Sequence, residues 1–283
     1  MSVSEKTRRK TYDGTLRVLI WGSAIATTAL LLWILGFIMV KGLPHVNWAF
    51  LTSTYESDAH GIFPMLVTTL AIVGLTLLFA APVGVFASVY LVEYAKPGRL
   101  VNIIRFTTES LAGIPSILFG LFGFLFFVRL CGLKYSLLSG ALTLSLTILP
   151  TIIRTTEESL KTAPVSYKEG SLALGASRLY TLFRILLPTA LPGILTALIL
   201  SIGRIVGETA AVFLTAGMVY RMPGSILDSG RTLAVHLYAL ANEGSSFAES
   251  YATAAVLVAI VLVINLAANT LGKLLQRKMQ GAA

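Results

Sequence analysis

Six stretches of this chain are long, apolar and free of Asp, Glu, Lys and Arg: Val18–Val40, Ala59–Val92, Ser110–Val128, Tyr135–Ile153, Ile185–Gly203 and Ser250–Gly272. A bilayer core about 30 Å thick asks for roughly 20 apolar residues per helix. Such runs exclude a soluble architecture with a charged surface. Charged residues make up 12% of the 283 positions, about half the usual share in soluble domains. Six transmembrane helices are therefore predicted near 17–40, 63–91, 103–128, 135–153, 191–217 and 252–274. The first run is too long for a cleavable signal core and lacks a small-residue cleavage site, so it reads as a retained helix.

Basic residues set the orientation. Sixteen fall on one side: Lys6, Arg8, Arg9, Lys10 and Arg17; Lys96, Arg99 and Arg105; Arg154, Lys161, Lys168, Arg178 and Arg184; Lys273, Arg277 and Lys278. Five fall on the other, namely Lys41, Arg129, Lys134, Arg221 and Arg231. Both termini are thus predicted to be cytoplasmic, and the net charge of +9 needs no nucleic acid. The run Lys6–Lys10 also suits anionic lipid headgroups. The outside segments, 41–62 and 218–250, carry Trp48, Tyr55, Tyr220 and Tyr238, partly an interfacial aromatic set. Arg221 and Arg231 either steer an anion toward an entrance, help dock an outside partner, or belong to a solvated loop. Gly113, Gly120, Gly123, Gly140 and Ala141 suit close helix packing, and Asn265 and Asn269 suit interhelical hydrogen bonds. Met65 and the phenylalanines of 119–127 read as packing or lipid contacts.

Chemistry is sparse. A lone cysteine, Cys131, cannot form a disulfide within the chain. His45, His60 and His236 are scattered, and no metal-ligand spacing or paired catalytic constellation appears. No phosphate-binding loop of the G-x-x-x-x-G-K-S/T kind is present, so no nucleotide site is visible. An enzyme is not indicated.

Two places depart from plain lipid-spanning sequence. The inside segment of about 154–190 reads Pro164, then Tyr167-Lys168-Glu169-Gly170-Ser171-Leu172-Ala173-Leu174-Gly175-Ala176-Ser177. A short helix is predicted after Pro164, a stop at Gly175, and a second helical segment over 178–187, with Pro188 at the start of the fifth span. Two short helices hinged on glycine form either an ordinary connection or a protruding lever that fits a groove on a partner. The fifth span holds Arg204 near the membrane middle, where a charge costs at least about 2.5–3.5 kcal/mol. Glu208, four residues on, is expected on the same helix face, with Gly203 and Gly207 leaving room for another backbone. This pair is either an ion pair that locks helices or an anion site, since the arginine fork matches phosphate oxygens. In the third span Glu109 is expected to pair with Arg105 one turn earlier, and Gly113 with Pro115 to kink or open the helix.

Glu169, Gly175, Ile185, Leu187 and Pro188 fall at the offsets of E-A-A-x3-G-x9-I-x-L-P, with Gly170 and Ser171 in place of the two alanines. The segment is similar to the coupling loop of ATP-binding-cassette (ABC) importer permeases. The blocks Gly203–Ala210 and Glu109–Gly120 resemble phosphate (Pst-type) permease subunits, most of all the A-type (PstA-type). The resemblance covers about 60–275. It implies an all-α type I importer permease fold in the bacterial inner membrane, with segments 1–16 (cytoplasmic), 17–58 (first span and outside loop), 59–275 (permease core) and 276–283 (cytoplasmic tail). It implies phosphate-pathway roles for Arg204, Glu208, Gly203, Gly207, Thr209, Glu109 and Ser116. ATPase coupling would fall to Glu169, Gly170, Ser171, Leu172, Leu174, Gly175 and Ala176, with Glu169 capping or salt-bridging at that interface. The implied partners are a related C-type permease, two ATPase subunits holding ATP and Mg, and an extracytoplasmic phosphate-binding protein. No cofactor is implied on this chain. Another oxyanion cargo (phosphonate, sulfate, molybdate), or a channel or carrier without ATP drive, are the competing readings.

Overall fold

The computed structural model describes residues 3–57, 60–96, 98–244 and 246–280, with side chains from 14 to 274 apart from 268, 271 and 273. The orientation charges Lys6, Arg8, Arg9, Lys10, Lys273, Arg277 and Lys278 lie outside the described side chains. The described residues are helices and their connections. In chain order these are α1 (Val3–Gly42), α2 (Trp48–Thr52), α3 (Phe63–Val89), α4 (Arg99–Ala112), α5 (Ser116–Gly123), α6 (Leu137–Lys161), α7 (Val165–Ala173), α8 (Arg178–Thr181), α9 (Leu187–Gly207), α10 (Ala210–Thr215), α11 (Leu233–Glu243) and α12 (Phe247–Gln280). Short π turns extend α3 to Tyr94 and α5 to Leu130, and join α8 to α9 through Leu182–Leu186.

Five helical stretches are long and apolar enough to cross a membrane: Gly14–His45, Phe63–Tyr94, Leu137–Lys161, Arg178–Gly207 and Phe247–Ala267. A sixth crossing requires α4 and α5 together, and these meet at 105°. The third span is therefore not one helix over 103–128. Its break falls at Gly113–Pro115, as glycine and proline there require: Pro115 is extended (φ −56°, ψ 139°) and supplies no N–H. Because α4 is amphipathic, with Arg99, Arg105 and Glu109 on it, it need not lie in hydrocarbon.

Central in the fold is α6, the most buried spanning helix, packed on α3, α9, α5 and α10. Its N-terminal end is capped by protein: Ser136 accepts from Ser139 N, and the N–H groups of Leu137 and Leu138 donate to Asp228 O and Ile226 O. At its C-terminal end α6 runs two turns past the expected 153, to Lys161, because its charged residues find ion partners there. Pro82, Pro150 and Pro192 sit inside spanning helices, where neighbouring helices can satisfy the freed carbonyls. Gly120 packs as expected: a methyl group there would meet the Ala211 backbone at 2.8 Å. Ile72, Leu144, Ile148, Ile205, Val206 and Val212 join in one core cluster. Asn265 and Asn269 make no hydrogen bond among the described residues, so they do not act as interhelical ties within this chain.

Candidate functional site

Arg204 occupies the last turn of α9 rather than the interior of a helix, because α9 ends at Gly207. Glu208 is extended (φ −75°, ψ 123°), and its N–H closes a tight turn on Ile205 O at 3.1 Å. The expected shared helix face is thus lost: four residues no longer mean one turn when the last is not helical. Arg204 and Glu208 form no ion pair among the described residues, and both are half-buried. Thr209 (φ −112°, ψ −55°) precedes α10 as its N-cap residue, its carbonyl accepting from Phe213 N. A methyl group at Gly203 or Gly207 would meet nothing within 4 Å. The room expected for another backbone is there, and this chain leaves it open. The C-terminal end of α9 carries partial negative charge, which favours the Arg204 cation.

Glu109 does not pair with Arg105. Arg105 reaches across to α6, its Nη2 lying 2.6 Å from Glu157 Oε1, and Lys161 Nζ lies 2.7 Å from the same oxygen. Glu157 is 7% exposed. Arg105 Nε is buried without a hydrogen-bond partner, so the contact is electrostatic more than directional. Glu109, Arg154 and Glu158 share with these residues a cavity of about 180 Å³ floored by Pro150 and Ile153. Sequence reasoning missed Glu157, although the i, i+4 pairs Arg154–Glu158 and Glu157–Lys161 were legible. Ser116 opens α5 beyond the bend, so Glu109 and Ser116 lie on different arms of the broken span.

The two short helices hinged on glycine are built as predicted. After Pro164, α7 runs nine residues; Gly175 then takes φ +83°, a left-handed turn that glycine adopts without steric cost. Ser177 caps the next helix by accepting from Tyr180 N. One difference is that α8, the π turn and α9 are continuous, so the lever's second arm is the foot of the spanning helix. Ser171 is buried, with its hydroxyl 2.9 Å from Thr181, which is why a small residue stands there. Lys168 ties α7 to the end of α3 through Glu93 at 2.5 Å. Leu174 is 91% exposed, and Val165, Tyr167, Leu179 and Tyr180 are exposed too. Glu169 is exposed and unpaired among the described residues, so it does not cap within this chain. Tyr167, Gly170, Leu174 and Tyr180 border an open groove of about 730 Å³.

A family described as "Binding-protein-dependent transport system inner membrane component" matches residues 80–281. This chain belongs to that family. The permease is 36% identical over 274 residues to "Probable ABC transporter permease protein YqgI" of Bacillus subtilis (strain 168), covering 90% of this chain and 93% of that one. It is 33% identical over 270 residues to "Phosphate transport system permease protein PstA 1" of Mycobacterium tuberculosis (strain ATCC 25618 / H37Rv), covering 92% and 87%. Among solved structures, the bacterial alginate ABC transporter in complex with its pentasaccharide-bound periplasmic protein aligns with a TM-score of 0.67 at 16% identity, over 93% of this chain and 95% of that chain. The MetNI methionine ABC transporter in an inward-facing conformation aligns at 0.58 and 22% identity, over 76% and 94%. At such identities these two establish the fold alone. The permease is a multi-pass membrane component of an ABC importer and not itself an enzyme.

At the end where α6 begins, the permease has a second cationic centre. Arg231, 6% exposed, lies with its Cζ 5.4 Å from the Tyr55 ring centroid and 5.5 Å from that of Tyr220. The edge of His236 meets Tyr55 at 5.1 Å. Burial lowers the Arg231 pKa and, with the Arg231 charge, pushes His236 down to about 3, so this imidazole is neutral. Burial and Glu249 raise Tyr55. Cation–π contacts contribute about 1–2 kcal/mol apiece when desolvated, whereas burying an unpaired charge costs several kcal/mol. The rings alone do not offset that cost.

Proposed function

We propose that the permease is the membrane-spanning subunit of an ATP-driven importer that carries inorganic phosphate into a bacterial cell. The observation that carries this reading is Arg204, unpaired at the α9–α10 break, with open space beside Gly203 and Gly207. The likeness to PstA proteins supports phosphate over other cargo. In this reading Arg204 holds phosphate oxygens through its fork. Glu208, released from the helix, orients that fork and accepts a hydrogen bond from a protonated phosphate oxygen, which fully ionised sulfate does not offer. Gly203, Gly207, Thr209 and Ser116 line the path, and Glu109 lies at its cytoplasmic end. A related C-type permease fills the open side of α9.

The ATPase subunits, which hold ATP and Mg, dock on the lever formed by Glu169, Gly170, Leu172, Leu174, Gly175 and Ala176. Because the second arm of the lever is continuous with α9, a push on Leu174 is transmitted along a rigid helix toward Arg204. That gives coupling between two sites through one two-state element. An extracytoplasmic binding protein delivers phosphate, and both termini are cytoplasmic.

The decisive experiment reconstitutes the four-component transporter in vesicles and follows ATP-dependent uptake of radiolabelled phosphate. Wild type is expected to accumulate phosphate, and Arg204→Ala to assemble but lose uptake by at least a hundredfold. Accumulation of sulfate or molybdate with no phosphate uptake would discard the cargo.

A further inference from the structure

We infer that Arg231 is a second anion-binding site, on the outer side, that receives an inorganic oxyanion before it reaches Arg204. This rests on the oxyanion-import reading above. Three observations carry it.

The first is the state of the Arg231 side chain. Tyr55 and Tyr220, whose ring centroids lie 5.4 Å apart, flank the guanidinium from one side, and its donors, in the plane of the fork, remain available. Its Nε is buried without a hydrogen-bond partner, and no ion pair to Arg231 exists among the described residues. A buried arginine without a carboxylate requires a counter-charge from elsewhere.

The second is that, among the described residues, the neighbouring carboxylates are engaged or distant. Glu56 is bound by Arg221 Nε at 3.0 Å, and Glu249 by His60 Nδ1 at 3.1 Å. Glu243, exposed on α11, attracts Arg231 only beyond ion-pair range. The acidic surroundings keep a bound anion from being trapped, as a transfer site requires.

The third is that two other buried polar atoms near Arg231 also lack partners: His236 Nδ1 and Thr68 Oγ1. His236 shares Tyr55 with Arg231, and the Thr68 hydroxyl faces Gly230, the residue before Arg231. Arg231, His236 on α11 and Thr68 on α3 thus each leave a buried hydrogen-bonding atom unsatisfied in this part of the fold. Native structures leave few such groups unpaired. A tetrahedral oxyanion, which accepts bonds on several sides, meets that arrangement. The aromatic faces limit solvent access and suit a small ion.

The test uses the assembled permease–ATPase complex in lipid nanodiscs, without the binding protein, in equilibrium dialysis against radiolabelled phosphate. With Arg204→Gln removing the deeper site, saturable phosphate binding is expected to persist. Adding Arg231→Gln should weaken it at least tenfold, and Arg231→Lys should recover part, because charge returns without the fork. No saturable binding by the Arg204→Gln complex overturns the inference, even if Arg231→Gln fails to assemble. Unchanged binding in the double variant overturns it as well. If wild-type vesicles take up phosphate but the Arg204→Gln complex binds none, the outer site alone falls. If wild type takes up no phosphate, the cargo falls, and binding of sulfate that depends on Arg231 would still support the outer site.

Discussion

The end that carries the α7–α8 lever and the opposite cap around Arg231 treat charge and apolar surface in opposite ways. On the lever, charge is spent on holding helices together within the chain: Lys168 to Glu93, and Arg105 with Lys161 to Glu157. The apolar side chains Leu174, Val165 and Leu179 are left bare. On the outer cap the aromatic and apolar groups close inward around Arg231, and that cation is left without a carboxylate. An exposed apolar ridge is incomplete until a protein covers it. A buried, unpaired cation is incomplete until an anion reaches it. In the proposed reading, the same chain marks one end for a macromolecule and the other for an ion.

The comparison is broken most severely at the lever. Leu174→Asp is expected to abolish stimulated ATP hydrolysis and phosphate uptake while the permease itself keeps its stability within about 0.5 kcal/mol, since the side chain is exposed. Pull-down of the ATPase and a thermal melt of the permease read the two halves. Equal loss of both would place Leu174 in the core instead. Next in size, Ser171→Leu crowds the Thr181 contact and should destabilise the lever by about 1–3 kcal/mol, seen as faster proteolysis between α7 and α8. Gly175→Ala, forced to φ +83°, should cost about 1–2 kcal/mol.

The outer cap is sharpened by pH. The folded-state pKa of His236, about 3, lies below its ordinary 6.5. The unfolded chain therefore binds more protons below pH 6.5, and stability contributed by the neutral imidazole is lost as pH falls from 6.5 toward 3. At pH 5.5 the loss is about 1 kcal/mol. A His236→Gln variant should flatten that dependence in thermal melts between pH 7 and 5.5; an unchanged slope would remove His236 as its cause. Smallest is Lys168→Ala: the pair with Glu93 is part-exposed, and its loss should cost less than about 1 kcal/mol.

Much of this was legible in the sequence where one local rule dominates. Apolar length fixed the spans beginning near 17, 63, 135 and 252. Gly175 announced its turn, and Gly113 with Pro115 announced a break. The misreadings share a cause. Arg204 and Glu208 at i, i+4 implied a common face only if the helix continued, and nothing local in Gly207-Glu208-Thr209 is strong enough to end it. Arg105 had a carboxylate four residues away in Glu109 and bonded one 52 residues away in Glu157. Tyr55 lies 165 or more residues before Tyr220, Arg231 and His236, and their spacing carries no signal of a shared site.

Sequence alone determined that this protein lives in a membrane, where most of its spanning helices begin, and where its lever turns, because hydrophobic length and glycine stereochemistry act over a few residues. Tertiary structure alone decided which charges meet, where α9 stops, and that Arg231 is buried against two neighbouring rings. Those outcomes depend on which helices pack together, and packing compares free energies across the whole fold.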